Sequence, residues 1–170
     1  MISEKMNDAL NLQLNKELFS SYLYLSMASY FDSLNLTGMK HWMTLQAEEE
    51  YEHSMKFLDF IQKTGGRVVL DKIEKPQTEW ESPKKAFEDA YAHEQFITKS
   101  INELTDLAIE ERDHSTRTFL QWFIDEQVEE EANANDIVQR FNLVGESKSG
   151  LYMLDRELGG RTNNEESSAE

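Results

Sequence analysis

The sequence predicts an all-α protein: a bundle of four long helices, one long crossover between the second and third, and a short fifth helix near the C-terminal end. Three observations carry this. Apolar residues recur at three- and four-residue spacing along nearly the whole chain, the period of a helix with one buried face. Only seven glycines and two prolines interrupt it, and none lies between Lys84 and Val144. The connection from Gly66 to Glu81 is far longer than a turn between neighbouring helices needs.

The elements follow in order. Helix α1 is expected over about residues 3–32, ending before DSLNLTG and its Gly38. Helix α2 is expected over about 38–64, stopped by Gly65 and Gly66. In the connection, VVL at 68–70 has the composition of a strand, but no second strand exists to pair with it. Its sixteen residues can extend roughly 50 Å, while a helix of α2's length is about 40 Å long. The connection can therefore run the length of the bundle and set α2 parallel to α3, the one-crossover topology. Helix α3 is expected over about 83–111, with Ser82 as its cap and Pro83 at its first position. A single helix from 84 to 144 is too long for a compact domain, and the polar cluster ERDHS (111–115) offers the break before α4, about 115–143. SKSGLYMLDREL suggests α5, and RTNNEESSAE reads as a disordered acidic tail. The expected organisation is one domain over 1–160 and a tail over 161–170.

Composition narrows the function. The net charge is -16, from 33 acidic and 17 basic residues. That disfavours nucleic acid and anionic membrane as partners and favours cations. There are no cysteines, which excludes disulfides, thiol catalysis and thiolate metal sites. The N-terminal MISEKMNDAL has no apolar core of a signal peptide, and the uncharged run LFSSYLYLSMASYF is too short to span a membrane. A cytoplasmic protein is expected.

The charges contain a repeat with an offset of 77 residues. Glu17 falls on Glu94, and EEEYEH (48–53) falls on DEQVEE (125–130), so that α1–α2 and α3–α4 read as two copies of one hairpin. The stripe that should face the core is interrupted in every helix at the matching level. In α1 it runs Leu10, Leu14, Glu17, Ser21, Tyr24, Ala28, Phe31, and in α2 Met39, Met43, Gln46, Glu50, His53, Phe57, Ile61. In α3 it runs Phe87, Ala90, Glu94, Ile97, Ile101, Leu104, Ala108, and in α4 Leu120, Phe123, Gln127, Glu130, Ala134, Ile137, Phe141. No stripe contains Lys or Arg. Unpaired buried carboxylates cost several kcal/mol each, or take up protons. Glu17, Glu50, Glu94 and Glu130 with the imidazole of His53 suit two divalent metals, and Glu50-x-x-His53 puts two ligands on one helical face. Glu48 and Glu52 read as solvated face.

With these residues in view, the chain resembles the haem-free ferritins of bacteria and archaea, within the ferritin-like di-iron superfamily. The matching pieces are LNKELFSSYLYLSMASYF, AEEEYEHSMKFLDF, EWESPKKAFEDAYAHE and FLQWFIDEQVEEEA. The resemblance implies a ferritin-like bundle that oxidises Fe(II) with O2 or H2O2 and stores ferric mineral in a shell of 24 subunits. It implies one iron position at Glu17, Glu50 and His53, and a second at Glu50, Glu94 and Glu130, with Gln127 beside them. It implies a third iron position at Glu49, Glu126, Glu129 and Glu130. It implies that Tyr24 can supply an electron, a role also open to Trp122, against plain core packing for both. Bacterioferritins carry a second Glu-x-x-His and a haem-binding Met just after the bridging glutamate. Here those places hold Gln127-x-x-Glu130 and Tyr51, so no haem is expected. His41 and His93 read as surface residues. The resemblance sets His114, with Asp113, beside an access channel. Helix α1 is apolar nearly all round between Leu18 and Phe31, which implies a neighbouring subunit. Two rival readings remain: a di-iron oxidoreductase or peroxidase without storage, and a non-enzymatic acidic bundle.

Overall fold

The computed structural model describes residues 2–162. It contains α1 (Glu4–Ser33), α2 (Thr37–Lys63), α3 (Pro83–Glu110), α4 (His114–Val144) and α5 (Lys148–Leu158). The helix starts have side-chain caps. Ser3, Ser82, Asp113 and Ser147 accept from the backbone N–H of Met6, Lys85, Thr116 and Gly150, and Pro83 opens α3. Helix α2 has no such cap of its own. The buried Asp155 of α5 supplies it, its Oδ1 accepting from Met39 N at 2.8 Å. VVL is not a strand; there is none among the described residues.

The repeat is visible in the turns. Asn35 and Arg112, 77 residues apart, both take the left-handed conformation, with φ of 58° and 57°. Leu36 N donates to Phe31 O in one turn, and Asp113 N donates to Ala108 O in the other. Two non-glycine residues hold the same unusual backbone at equivalent places.

The crossover takes its direction from α1. Asn7, Asn11 and Asn15, one turn apart, form a ladder that holds the extended chain. Asn7 Oδ1 accepts from Arg67 N, Asn11 bonds Arg67 O and Val69 N, and Asn15 Nδ2 reaches the carbonyls of Asp71 and Lys72. Ser26 then donates to Gln77 O, and the rings of Tyr30 and Trp80 meet at 5.2 Å. Residue numbers rise together, so the crossover runs from the start of α1 to its end. Contacts Phe31–Phe87, Gln13–Ser100 and Lys5–Glu110 then set α3 antiparallel to α1, hence parallel to α2.

The core is two apolar clusters. One holds Met27, Phe31, Met39, Trp42, Phe87, Phe141, Leu154 and Leu158 among others. The other holds Met6, Leu10, Leu14, Phe57, Ile61, Ile97, Ile101, Leu120 and Phe123 among others. Along every long helix, the buried glutamate lies between the residues of the two clusters.

Arg161, which the sequence reading placed at the start of the tail, packs against α2. Residues 163–170 of that segment lie outside the described residues. No helix among the described residues is long and apolar enough to cross a membrane.

Gly38 allows α5 to approach the start of α2. A Cβ there would lie 1.6 Å from the Asp155 carbonyl oxygen. The clash is with backbone, so relief means moving α5. Gly38→Ala is expected to destabilise the fold by about 1–3 kcal/mol, a typical cost of overpacking. Thermal unfolding should show it, with faster hydrogen exchange in 148–158 as the local signature.

Candidate metal centre

Each long helix brings one carboxylate to the same level. Glu17, Glu50 and Glu94 are each 1% exposed, Glu130 is 5% and His53 is 4%. Glu17, Glu50 and His53 each offer a ligand atom, and these atoms all lie within 4.8 Å of one another. The Glu-x-x-His spacing is what brings the last two together: one helical turn sets His53 Nδ1 3.6 Å from Glu50 Oε2. Glu94 and Glu130 share the buried layer but are not part of that tight group.

Neutral donors orient three of the four carboxylates. Gln13 Nε2 donates to Glu17 Oε1 at 2.7 Å, and Gln46 Nε2 to Glu130 Oε2 at 2.6 Å. The Tyr24 hydroxyl donates to Glu94 Oε1, and Gln127 Nε2 lies 3.2 Å from Glu94 Oε2. Gln13 is itself fixed: Ser100 donates to its Oε1 and in turn accepts from Lys16 Nζ. Gln46 also lies against Glu50 and favours its charged form. Glu17 Oε2 and Glu50 Oε1 are buried without a hydrogen-bond partner. Among the described residues no Lys or Arg forms an ion pair with any of the four. Carboxylates, imidazole and two orphaned oxygens form a donor set for a hard divalent cation.

The electrostatics follow from burial. Desolvation first, and then the neighbouring Glu50, hold the Glu17 carboxyl well above its ordinary value of 4.5. Burial and Glu94 do the same to Glu50, and burial with Glu94 and Glu50 to Glu130. Burial raises Glu94 as well, against the opposing pull of the Tyr24 hydrogen bond. Without metal, protons must supply part of the missing positive charge.

The remaining predicted residues lie beside this layer. Glu49 and Glu126 are half-buried and Glu129 is exposed. All three line an acidic cavity of about 940 Å³ with Glu52, His53 and Glu130. His53 Nε2 stands 4.0 Å from Glu126 Oε1. Tyr24 is buried and Tyr51 is half exposed. Trp122 lies edge-on to the His53 ring at 5.2 Å and carries Lys56 over its face at 4.2 Å. His41 and His114 are exposed. His93 is half-buried rather than fully exposed. It fills the α1–α3 seam between Phe19, Phe96 and Tyr24, its Nε2 2.7 Å from Ser20 Oγ. Burial pushes its imidazole down to about 4. One step round the helix from Glu94 leads into that seam, because Ser20 is small enough to leave room.

Sequence reasoning gave no role to Gln13, Ser100 or Arg161. Gln13 left a signal, since it sits one turn before Glu17. Ser100 and Arg161 act across the fold and left none.

A family model described as a ferritin-like domain matches residues 7–144. The chain belongs to the ferritin family. A bacterial non-heme ferritin of Bacteroides fragilis is 42% identical over 161 residues, covering 95% of this chain and all of the relative. One from Campylobacter jejuni is 40% identical over 156 residues, covering 92% and 93%. A solved open pore ferritin from the archaeon Archaeoglobus fulgidus superposes with a TM-score of 0.94 at 54% identity, covering 95% of this chain and 98% of that one. Ferritins are iron-storage proteins, and Glu17, Glu50 and His53 in the buried layer form a candidate metal-binding group.

The raised carboxyls give the metal-free protein a signed pH dependence. The folded state holds protons that the unfolded chain releases near 4.5, so these groups make stability fall as pH rises above that value. Glu50→Gln should keep more of its stability between pH 4.5 and 7.5 than the parent. Metal-free melting curves across that range should differ by several degrees at the upper end and converge at the lower. If they stay parallel, Glu50 does not gain protons on folding.

Proposed function

We propose that the protein is a ferroxidase that oxidises Fe(II) at a carboxylate-bridged pair of sites and stores the ferric product in an oligomeric shell. The observation that carries this is the pair of buried, partnerless oxygens on Glu17 and Glu50, in a layer where no cation pairs with the carboxylates. One Fe(II) would bind Glu17, Glu50 and His53. A second would bind Glu50, Glu94 and Glu130, with Glu50 shared and Gln127 alongside. Oxygen ligands with one imidazole suit Fe(II) and stabilise Fe(III) further. Two Fe(II) held together can give O2 or H2O2 two electrons at once, so that no superoxide is released.

The protein's own part is orientation and proton handling. Gln13, Gln46 and Gln127 fix carboxylate oxygens without bringing a charge that would compete with iron. Incoming iron displaces the protons held by the raised carboxyls, so affinity rises with pH. Tyr24 can supply an electron while its proton passes to the Glu94 oxygen it already bonds. Glu49, Glu126 and Glu129, with Glu130, would form the third position, through which ferric product leaves.

The acidic cavity also weighs against an organic substrate. Pockets for organic molecules are mostly apolar with a few placed polar groups, whereas seven carboxylates line this one. Exposed Leu12, Tyr22 and Leu25 on α1 support a neighbouring copy of the chain. The number 24 rests on the family resemblance.

Fe(II) added anaerobically, followed by air, should give fast ultraviolet absorbance growth at two irons per chain, then slower uptake of hundreds of irons into a particle much larger than one chain. Two irons per chain and no more would favour the oxidoreductase reading. Glu50→Ala should slow the fast phase by roughly 100-fold or more, beyond the effect usual for an outer partner of a metal site. Its metal-free form should melt no lower than the parent. Tyr24→Phe, which removes an outer partner of Glu94, should slow oxidation roughly tenfold while two Fe(II) still bind.

A further inference from the structure

Arg161 lies just past Gly160, yet its guanidinium is held as firmly as a core side chain. Nη2 lies 2.5 Å from Glu49 Oε2. Nη1 donates to Gln46 Oε1 at 2.8 Å and to the Trp42 carbonyl at 3.3 Å. The group stacks over the Trp42 ring with Cζ 4.5 Å from its centroid. Its side chain is 19% exposed. Two other cations border the same cavity. Lys56 covers Trp122 and reaches Glu126 only through its field, and Arg140 pairs with Asp136 and Glu157. Among the described residues, Arg161 is the cation that forms an ion pair with a carboxylate assigned to the third iron position.

We propose that Arg161 is a resident counter-cation that occupies the Glu49 carboxylate until a divalent ion displaces it. This rests on the reading of Glu49, Glu126, Glu129 and Glu130 as a third cation position. A guanidinium and a metal ion cannot both use Glu49 Oε2, so each weakens the other's hold by the same factor. The consequence is order. The buried pair of sites has only protons to expel, with no guanidinium or ammonium seated on its carboxylates, and fills first; the third position fills only when cation supply exceeds the threshold Arg161 sets. The latch also reaches the shared ligand. Gln46 accepts from Arg161 with its oxygen and donates to Glu130 Oε2 with its nitrogen, at 2.6 Å. While Arg161 is seated, that amide has one orientation and Glu130 keeps its donor. When Arg161 leaves, Gln46 can turn and release Glu130.

A purely structural role, anchoring the chain end to α2, predicts a change in stability but none in cation affinity. The test is anaerobic calorimetric titration of the full-length assembled protein with Zn(II), a divalent ion without redox chemistry. The variants are Arg161→Gln, Glu49→Gln and the two combined. In R161Q the first equivalent, at Glu17, Glu50 and His53, should bind as in the parent, and the third should tighten about tenfold or more. Adding E49Q should abolish that gain. An unchanged third affinity in R161Q overturns the latch and leaves the third position standing. No third equivalent in either protein overturns both readings. If R161Q fails to assemble, the reciprocal measurement on the parent decides. Hydrogen exchange over residues 159–162 should accelerate on the third equivalent of Zn(II) and not on the first two. No acceleration on the third equivalent overturns the proposal.

Discussion

Four carboxylates buried in the middle of a helix bundle, with no ammonium or guanidinium paired to them among the described residues, are the constraint on which the rest of this structure depends. Each is individually unfavourable, since a buried charge without a partner costs several kcal/mol. The fold tolerates them because the two apolar clusters on either side supply burial that the polar layer does not. Tyr24 and Gln127 hold Glu94, Gln13 holds Glu17, and Gln46 holds Glu130. These donors lessen the cost without removing the charge. What remains is a standing demand for cations at a fixed place, met by protons in the metal-free protein and, in the proposed ferroxidase, by iron.

The architecture serves that demand. The two hairpins are copies of one unit, down to the matched left-handed residues Asn35 and Arg112. Facing them across a pseudo-twofold brings the glutamate of every helix to one level. Because α2 runs parallel to α3, the chain has to return along the bundle between the two hairpins. The asparagine ladder of α1 holds that return segment in place through backbone hydrogen bonds. A sixteen-residue connection is then a built element with its own register, rather than slack. The copies are not identical. His53 in the first hairpin corresponds to Glu130 in the second, so one side of the layer has an imidazole and the other a second carboxylate. That asymmetry would distinguish the two proposed iron positions chemically.

Most of this was legible in the sequence because the helical period is strict. All seven residues in each of the predicted α2, α3 and α4 stripes are buried, and in α1 only Ser21 is merely half-buried. The parallel pairing of α2 and α3 followed from length alone. The failures are equally physical. His93 was assigned to the surface because it lies one step off the stripe, but a helix wedged between neighbours buries its flanks too. The α2 cap is supplied by Asp155, 116 residues away in sequence, which local pattern cannot reveal. Arg161 sat in a polar, charged segment whose composition reads as tail. A single guanidinium over Trp42 and against Glu49 fixes it in place, and composition averages over such contacts.

The placement of the positive charges bears on how such a layer could both bind iron and let it go. A lysine or arginine inside the layer would form permanent ion pairs with these glutamates, and a cation would have to break them to enter. Neutral amides and a phenol avoid this, because they orient oxygens without neutralising them. The cationic side chains lie instead along the acidic cavity at the flank of the layer. Lys56 lies over Trp122 and Arg140 pairs with Asp136 and Glu157, whereas Arg161 sits on Glu49. In the proposed ferroxidase, a cation leaving the buried pair would meet a carboxylate already holding a monovalent charge. It would take that carboxylate only by outcompeting a guanidinium, which favours a trivalent ferric product over ferrous iron. On that reading, occupied carboxylates at the exit and open ones inside give iron a direction of travel.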